Sequence, residues 1–286
     1  DLADTIYDQA GRHQDLVEVL EQKLRTGLTP GERGSLLRRL AKLHEERRNP
    51  AKAGAADEEA AALEPDNPDL LRDLGALRKE EGDFEGLAVV LGRLADLSEN
   101  AEERRALLLE SASLYESRLE DLGAARAILE RLRLDQPEDG AVLVRLERIY
   151  EATGDYDLLA RMLTGLVDSD APISERVDAA MRAATVFEVH LQNPPAAVAA
   201  ARRAFELDPE SRTAIDELVR LYYQLQDWSG LVDMLQRKAA LATATPERIA
   251  LLRRASEIAD GRLGDLALAG TIGKQILEID PKDPRA

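Results

Sequence analysis

Few residues of this 286-residue chain stand at spacings that chemistry requires. The nearest approach to a phosphate loop is Gly270-Thr271-Ile272-Gly273-Lys274-Gln275. Such a loop needs glycines so that backbone amides can cradle phosphates, a lysine to reach them, and a Ser or Thr to hold magnesium. Here Leu268 stands where the first glycine belongs, and Gln275 replaces the hydroxyl residue. The three histidines are His13, His44 and His190; no two lie three or four residues apart, and there is no cysteine. That spacing does not suit zinc. No nucleophile elbow, kinase signature or Gly-rich dinucleotide loop occurs. The 55 acidic residues are spread along helical patterns, so no pair stands out as acid and base. The expectation is a protein that is not an enzyme, with no catalytic residues, no metal and no cofactor.

The elements that carry these residues repeat. Pro65, Pro137, Pro209 and Pro281 are each 72 residues apart. Gly82-Asp83-Phe84 recurs as Gly154-Asp155-Tyr156 and Gln226-Asp227-Trp228 at the same offset. Glu103-Arg104, Glu175-Arg176 and Glu247-Arg248 form a third series, preceded by Glu32-Arg33 at 71. Asn49, Asp121, Asn193 and Asp265 keep 72, so one residue is missing from the first unit between Arg33 and Asn49. A strict period of this size means one unit copied and stacked into a solenoid. The expected units are 1–66, 67–138, 139–210 and 211–286, forming one domain over 1–286.

Each unit reads as two helical hairpins. In the second unit, Leu70, Leu71, Leu74 and Leu77 form a stripe over 68–81 that Gly82 ends. Leu87, Val90, Leu91 and Leu94 mark a helix over 84–97. Leu107, Leu108, Ser111, Ala112 and Tyr115 mark one over about 101–119, with Glu102 and Glu103 at its positive end. Ala125, Ile128, Leu129 and Leu132 mark a fourth over about 122–134, which Pro137 closes. Four such units give 16 helices and no strand.

The half-unit resembles the tetratricopeptide repeat, in a long paired variant. Leu74-Gly75 matches that family's leucine-glycine pair, and Leu146 and Leu218 keep the leucine. Tyr150, Tyr222, Tyr115 and Phe187 match its first-helix aromatic, and Gly154 its turn glycine. Ala197 and Ala204 match its small second-helix residues, and Asp208-Pro209 its closing proline. The likeness covers the whole chain, although the third helix is about one turn longer than the family's first helix. Several small positions hold Leu or Asp instead, and a helical-repeat class with longer units stays open. The resemblance implies an all-α, α-α superhelix, a TPR-like right-handed solenoid of eight antiparallel hairpins. It also implies a concave groove that binds protein or peptide. The Leu-, Ala- and Arg-rich composition is similar to that of large bacterial multi-repeat proteins. The family's lysine and asparagine clamp for carboxylates is not recognisable.

On that implied groove, one phase of the third helices reads Arg38, Leu109, Met181, Arg253, apolar in the middle and basic at the ends. Val144 and Tyr223 share the face, with Arg148 and Arg220 nearby. Apolar anchors for affinity and charge for register suit a peptide or helix. The other reading of these residues is packing against the adjacent hairpin. Glu45, Glu116, Glu188 and Asp260 form an acidic row that would attract basic peptide side chains or stay solvated. Phe84, Tyr156 and Trp228, with His13, form either an aromatic ladder or a plug at the hairpin turn. The candidate partner-binding residues are thus Leu109, Val144, Arg148, Met181, Glu188, Arg220 and Tyr223.

The net charge of −17 disfavours nucleic acid and anionic membranes. No apolar run approaches the roughly 18 residues of a span. The compartment stays open, the cytoplasm slightly favoured. A solenoid end needs a polar face, yet the last helix carries Ile272, Ile276, Leu277 and Ile279. The expectation is that the array continues, or that the end packs on a partner, another copy included. The leading function is a groove-binding scaffold. The alternative is a self-associating spacer segment of a larger repeat protein.

Overall fold

A computed structural model describes residues 12–137 and 139–283. It forms two compact units, Asp1–Gln136 and Pro137–Ala286. The first contains α1 (His13–Lys23), α2 (Pro30–Glu46), α3 (Pro50–Leu63), α4 (Pro68–Glu81), α5 (Phe84–Leu97), α6 (Ala101–Ser117) and α7 (Leu122–Asp135). The second contains α8 (Gly140–Thr153), α9 (Tyr156–Val167), α10 (Ile173–Thr185), α11 (Pro194–Leu207), α12 (Arg212–Leu225), α13 (Trp228–Leu241), α14 (Thr245–Ile258) and α15 (Leu266–Ile279). No strand occurs among the described residues. The sixteenth expected helix falls before residue 12, outside them. The third-helix boundary moves from 119 to Ser117 and the fourth from 134 to Asp135.

Capping explains the starts. Asn49, Asp121, Asn193 and Asp265 each accept the backbone N–H three residues on, opening α3, α7, α11 and α15. Asn67, Asp139 and Ser211 do the same for α4, α8 and α12. Pro at the first helical position of α2, α3, α4 and α11 loses no intrahelical bond there. Turns are equally periodic. Gly82, Gly154 and Gln226 hold left-handed backbone at one phase. Arg48, Glu120, Gln192 and Gly264 hold it at another. The missing residue lies in this second turn: Glu45 to Arg48 spans three positions where Glu188 to Gln192 spans four. After α10 and α14 the chain continues as π turns at Val186–His190 and Ala259–Leu263.

Within each unit the strong contacts join consecutive helices, the mark of an α-α solenoid. The first unit buries Leu16, Leu20, Leu37, Leu40 and Leu70 in one cluster and Leu71, Val90 and Leu94 in another. The second buries Leu218, Leu221, Tyr222, Leu231, Leu235 and Ile272, with Ala197 and Ala201 at closest approach. The apolar stripes of the sequence are the buried faces. Ser111 is enclosed and donates to the Ala88 carbonyl at 3.0 Å, tying α6 to α5.

Two recurrent rows serve this stacking. Arg33, Arg104 and Arg176 donate to carbonyls at the preceding helix's C-terminus: Leu24 (3.2 Å), Ser98 (3.0 Å) and Val167 (2.8 Å). Those carbonyls lack intrahelical donors. The residues of the aromatic row are half-buried at the hairpin turns. A cationic group lies 5.2 Å above Phe84 from Arg118 and 5.1 Å above Trp228 from Arg262. His190 stacks on Tyr156 at 3.8 Å.

Candidate functional site

The second unit holds a cleft of about 350 Å³ between α8, α9 and α10. Its floor is Leu143, Met162, Leu163 and Leu166, whose spacings place them on single faces of α8 and α9. Leu143, Met162 and Leu163 also reach the core, so the floor is fixed by packing. Val144 stands at the edge, 66% exposed. Glu147, Glu175 and Asp178 supply negative charge around the cleft. Arg182 pairs with Glu147 on the facing helix and lies 3.4 Å from Asp178. Burial pulls the Arg182 guanidinium below its ordinary range. The arrangement is an apolar slot with an acidic margin and one neutralised arginine. It offers no nucleophile and base pair, and among the described residues no group of His, Cys, Asp or Glu is placed to hold a metal.

Val144 is the one expected residue that lines this cleft. Arg148 lies one turn further along α8, exposed. Met181 is half-buried on α10, beside Arg182, which faces the cleft instead. Leu109 is half-buried on α6, in the first unit. Glu188 and Arg220 are brought together. Arg220 donates to Glu188 Oε1 at 2.8 Å, to Glu217 Oε2 at 2.9 Å and to Gln224 Oε1 at 3.1 Å. The Arg220 bonds hold the Glu188 carboxyl below its usual range. Arg220 is thus clamped by two carboxylates while its side chain stays exposed. Tyr223 is 56% exposed, edge-on to Trp228 at 6.2 Å, with the Arg254 guanidinium 5.7 Å above its ring.

Sequence reasoning missed Glu147, Met162, Leu166, Asp178 and Arg182. Three belong to stripes that read as core or solvated face. Arg182 had one signal: an arginine 35 residues after a glutamate, on the next first-position helix.

Stacked antiparallel helix pairs with surfaces between them define a helical-repeat protein, a class built for protein interaction. Residues 142–172, from within α8 to beyond α9, match the family model of the tetratricopeptide repeat, so the chain carries a TPR-like repeat there. No curated protein matches the sequence. Among solved structures the chain is similar to YrrB, described as a TPR protein with an unusual peptide-binding site, at 14% identity and a TM-score of 0.32, covering 63% of this chain and 89% of that one. It is similar to Naa15/Naa10 bound to HypK-THB at 13% identity and a TM-score of 0.42, covering 98% and 63%. It is also similar to the C-terminal part of a TPR repeat-containing protein from Cytophaga hutchinsonii at 13% identity and a TM-score of 0.36, covering 86% and 96%. The chain therefore spans less than two thirds of the Naa15/Naa10 chain it matches.

Proposed function

We propose that this chain is a non-enzymatic scaffold that holds a peptide or protein segment in a groove of its first-position helices, with residues 1–286 acting as one repeat array. The carrying observation is the apolar cleft between α8, α9 and α10, rimmed by Glu147, Glu175 and Asp178. Its size is that of a few side chains, which suits the anchor of an extended or helical segment. Val144 stands beside the slot, where its exposure has a use. The net charge of −17 favours segments whose apolar anchor is flanked by Lys or Arg.

The test is selection of random displayed peptides on the full chain, followed by calorimetry with the selected peptides. Val144→Glu puts a fourth carboxylate at the cleft without touching the core. It is expected to weaken binding about tenfold or more, as loss of an anchor contact does. Selected peptides that bind Val144→Glu as tightly as the parent, or no selected peptides at all, would sink the groove reading. The spacer reading keeps one observation in its favour: Leu266 is 73% and Leu277 41% exposed on α15. A concentration-dependent sedimentation coefficient lost in Leu266→Lys would support it.

A further inference from the structure

The Arg220 clamp has an internal counterpart that lacks its arginine. By the 72-residue period Glu188 and Glu217 correspond to Glu45 on α2 and Asp73 on α4, both in the first compact unit. Glu45 precedes Glu188 by 143 residues, one whole unit of 72 and one shortened to 71; Asp73 precedes Glu217 by 144, two whole units. Arg220 corresponds to Ala76, again 144 residues earlier. The two carboxylates of the jaw are kept, and the guanidinium between them is replaced by a methyl group.

A cleft of about 580 Å³ opens at this place, lined by Glu45, Arg48, Ala53, Ala76, Leu77 and Glu80. A third carboxylate, Asp57, lies one turn along α3 from Ala53 of the cleft wall. Asp57 is 3% exposed, at a phase that holds Leu129, Ala201 and Gly273 in the other units. Asp73 and Glu45 repel its charged form, and among the described residues it has no hydrogen-bonding or ionic partner. Arg48 stands in the cleft and Arg38 lies near Asp73, yet neither comes within ion-pair distance of Glu45, Asp57 or Asp73. Glu45 on the cleft wall and Asp73 on α4 both raise the charge cost of the enclosed Asp57, so the place favours a cation. A planar fork that engages two carboxylates at once is the property of a guanidinium.

We propose that this cleft of the first unit receives an arginine side chain of a partner polypeptide, its guanidinium lying between Glu45 and Asp73 as Arg220 lies between Glu188 and Glu217. The second unit supplies its own arginine in cis; the first takes one in trans. Glu80 at the mouth and Leu77 on the wall would meet the neighbouring backbone and the arginine stem. The proposal concerns a different cleft from that of the second unit and stands or falls separately from it.

The experiment uses the full chain and a fluorescein-labelled decapeptide of alternating Ala and Arg, with citrulline and Lys versions as controls. Anisotropy is read for wild type, Ala76→Arg and Ala152→Arg. The last adds the same charge at an exposed position of α8. Ala76→Arg fills the jaw and is expected to weaken the Arg peptide at least tenfold, with Ala152→Arg near wild type. The citrulline peptide is expected not to bind, and the Lys peptide to bind more weakly than the Arg peptide. Equal weakening by Ala76→Arg and Ala152→Arg would show attraction to net charge alone and overturn the site. Free arginine competing as well as the peptide, mole for mole, would overturn the polypeptide as occupant. Asp73→Asn opens the jaw without filling it. It must also weaken the peptide, and its failure to do so counts against the proposal even where Ala76→Arg does not fold.

Discussion

Asp57 carries the largest electrostatic cost visible at the residue scale. Burial and the carboxylates of Asp73 on α4 and Glu45 on α2 push its pKa up to about 7 from 3.8. Arg38 and Asp69 act on Asp73 in opposite directions. The folded protein therefore keeps a proton that the unfolded chain loses near pH 4. Between pH 4 and 7 the folded state binds more protons, so stability falls as pH rises and levels off above 7. Asp57→Asn removes this dependence. Its stability advantage over wild type, from urea unfolding, is expected to grow from pH 4 to 7 and then hold, reaching about 4 kcal/mol at most. A constant difference across that window would contradict the assignment. Gln226 is a second test. It holds φ 58° where Gly82 and Gly154 hold 74° and 75°. A side chain in left-handed backbone costs about 1 kcal/mol, so Gln226→Gly is expected to stabilise by that amount and Gly82→Ala to destabilise similarly.

At the scale of elements, the rows that recur hold helix ends. Asp121 accepts from Ala124 N at 2.9 Å, and Asp121→Ala is expected to cost about 1 kcal/mol by thermal unfolding. Arg176 bridges from α10 to the Val167 carbonyl that ends α9. Arg176→Lys keeps the charge and loses the reach of the fork, so a loss of about 1 kcal/mol there identifies the hydrogen bond rather than the charge. These helix limits were legible beforehand, because Asn, Asp, Pro and Gly act locally. The π turns were not, since an extra residue in a helix leaves no mark on composition. The cleft was half legible. Val144 was placed on the implied groove beforehand, whereas nothing in the sequence singled out Met162 and Leu166 of α9. That Arg220 meets the Glu188 carboxylate depended on how the π turn after α10 packs beside α12.

At the scale of the molecule, two compact units and nearest-neighbour packing confine the effect of a change. Energies in such arrays act through adjacent helices. Asp57→Asn is expected to slow amide hydrogen exchange in α2, α3 and α4 and to leave α12 to α15 unchanged. Equal slowing throughout would show a single cooperative block instead. No described helix is long and apolar enough to cross a membrane.

The sequence by itself determined the helices, their caps and turns, and the 72-residue plan, because hydrophobic period, Asn and Asp caps and left-handed glycine turns are settled within a few residues of chain. It also marked which rows recur and which break. Only the tertiary structure decided which charged rows are satisfied. The Glu188–Arg220 clamp and the Glu45, Asp57 and Asp73 cluster join residues 12 to 32 positions apart in the chain. Their meaning follows from distances and burial that no local pattern encodes.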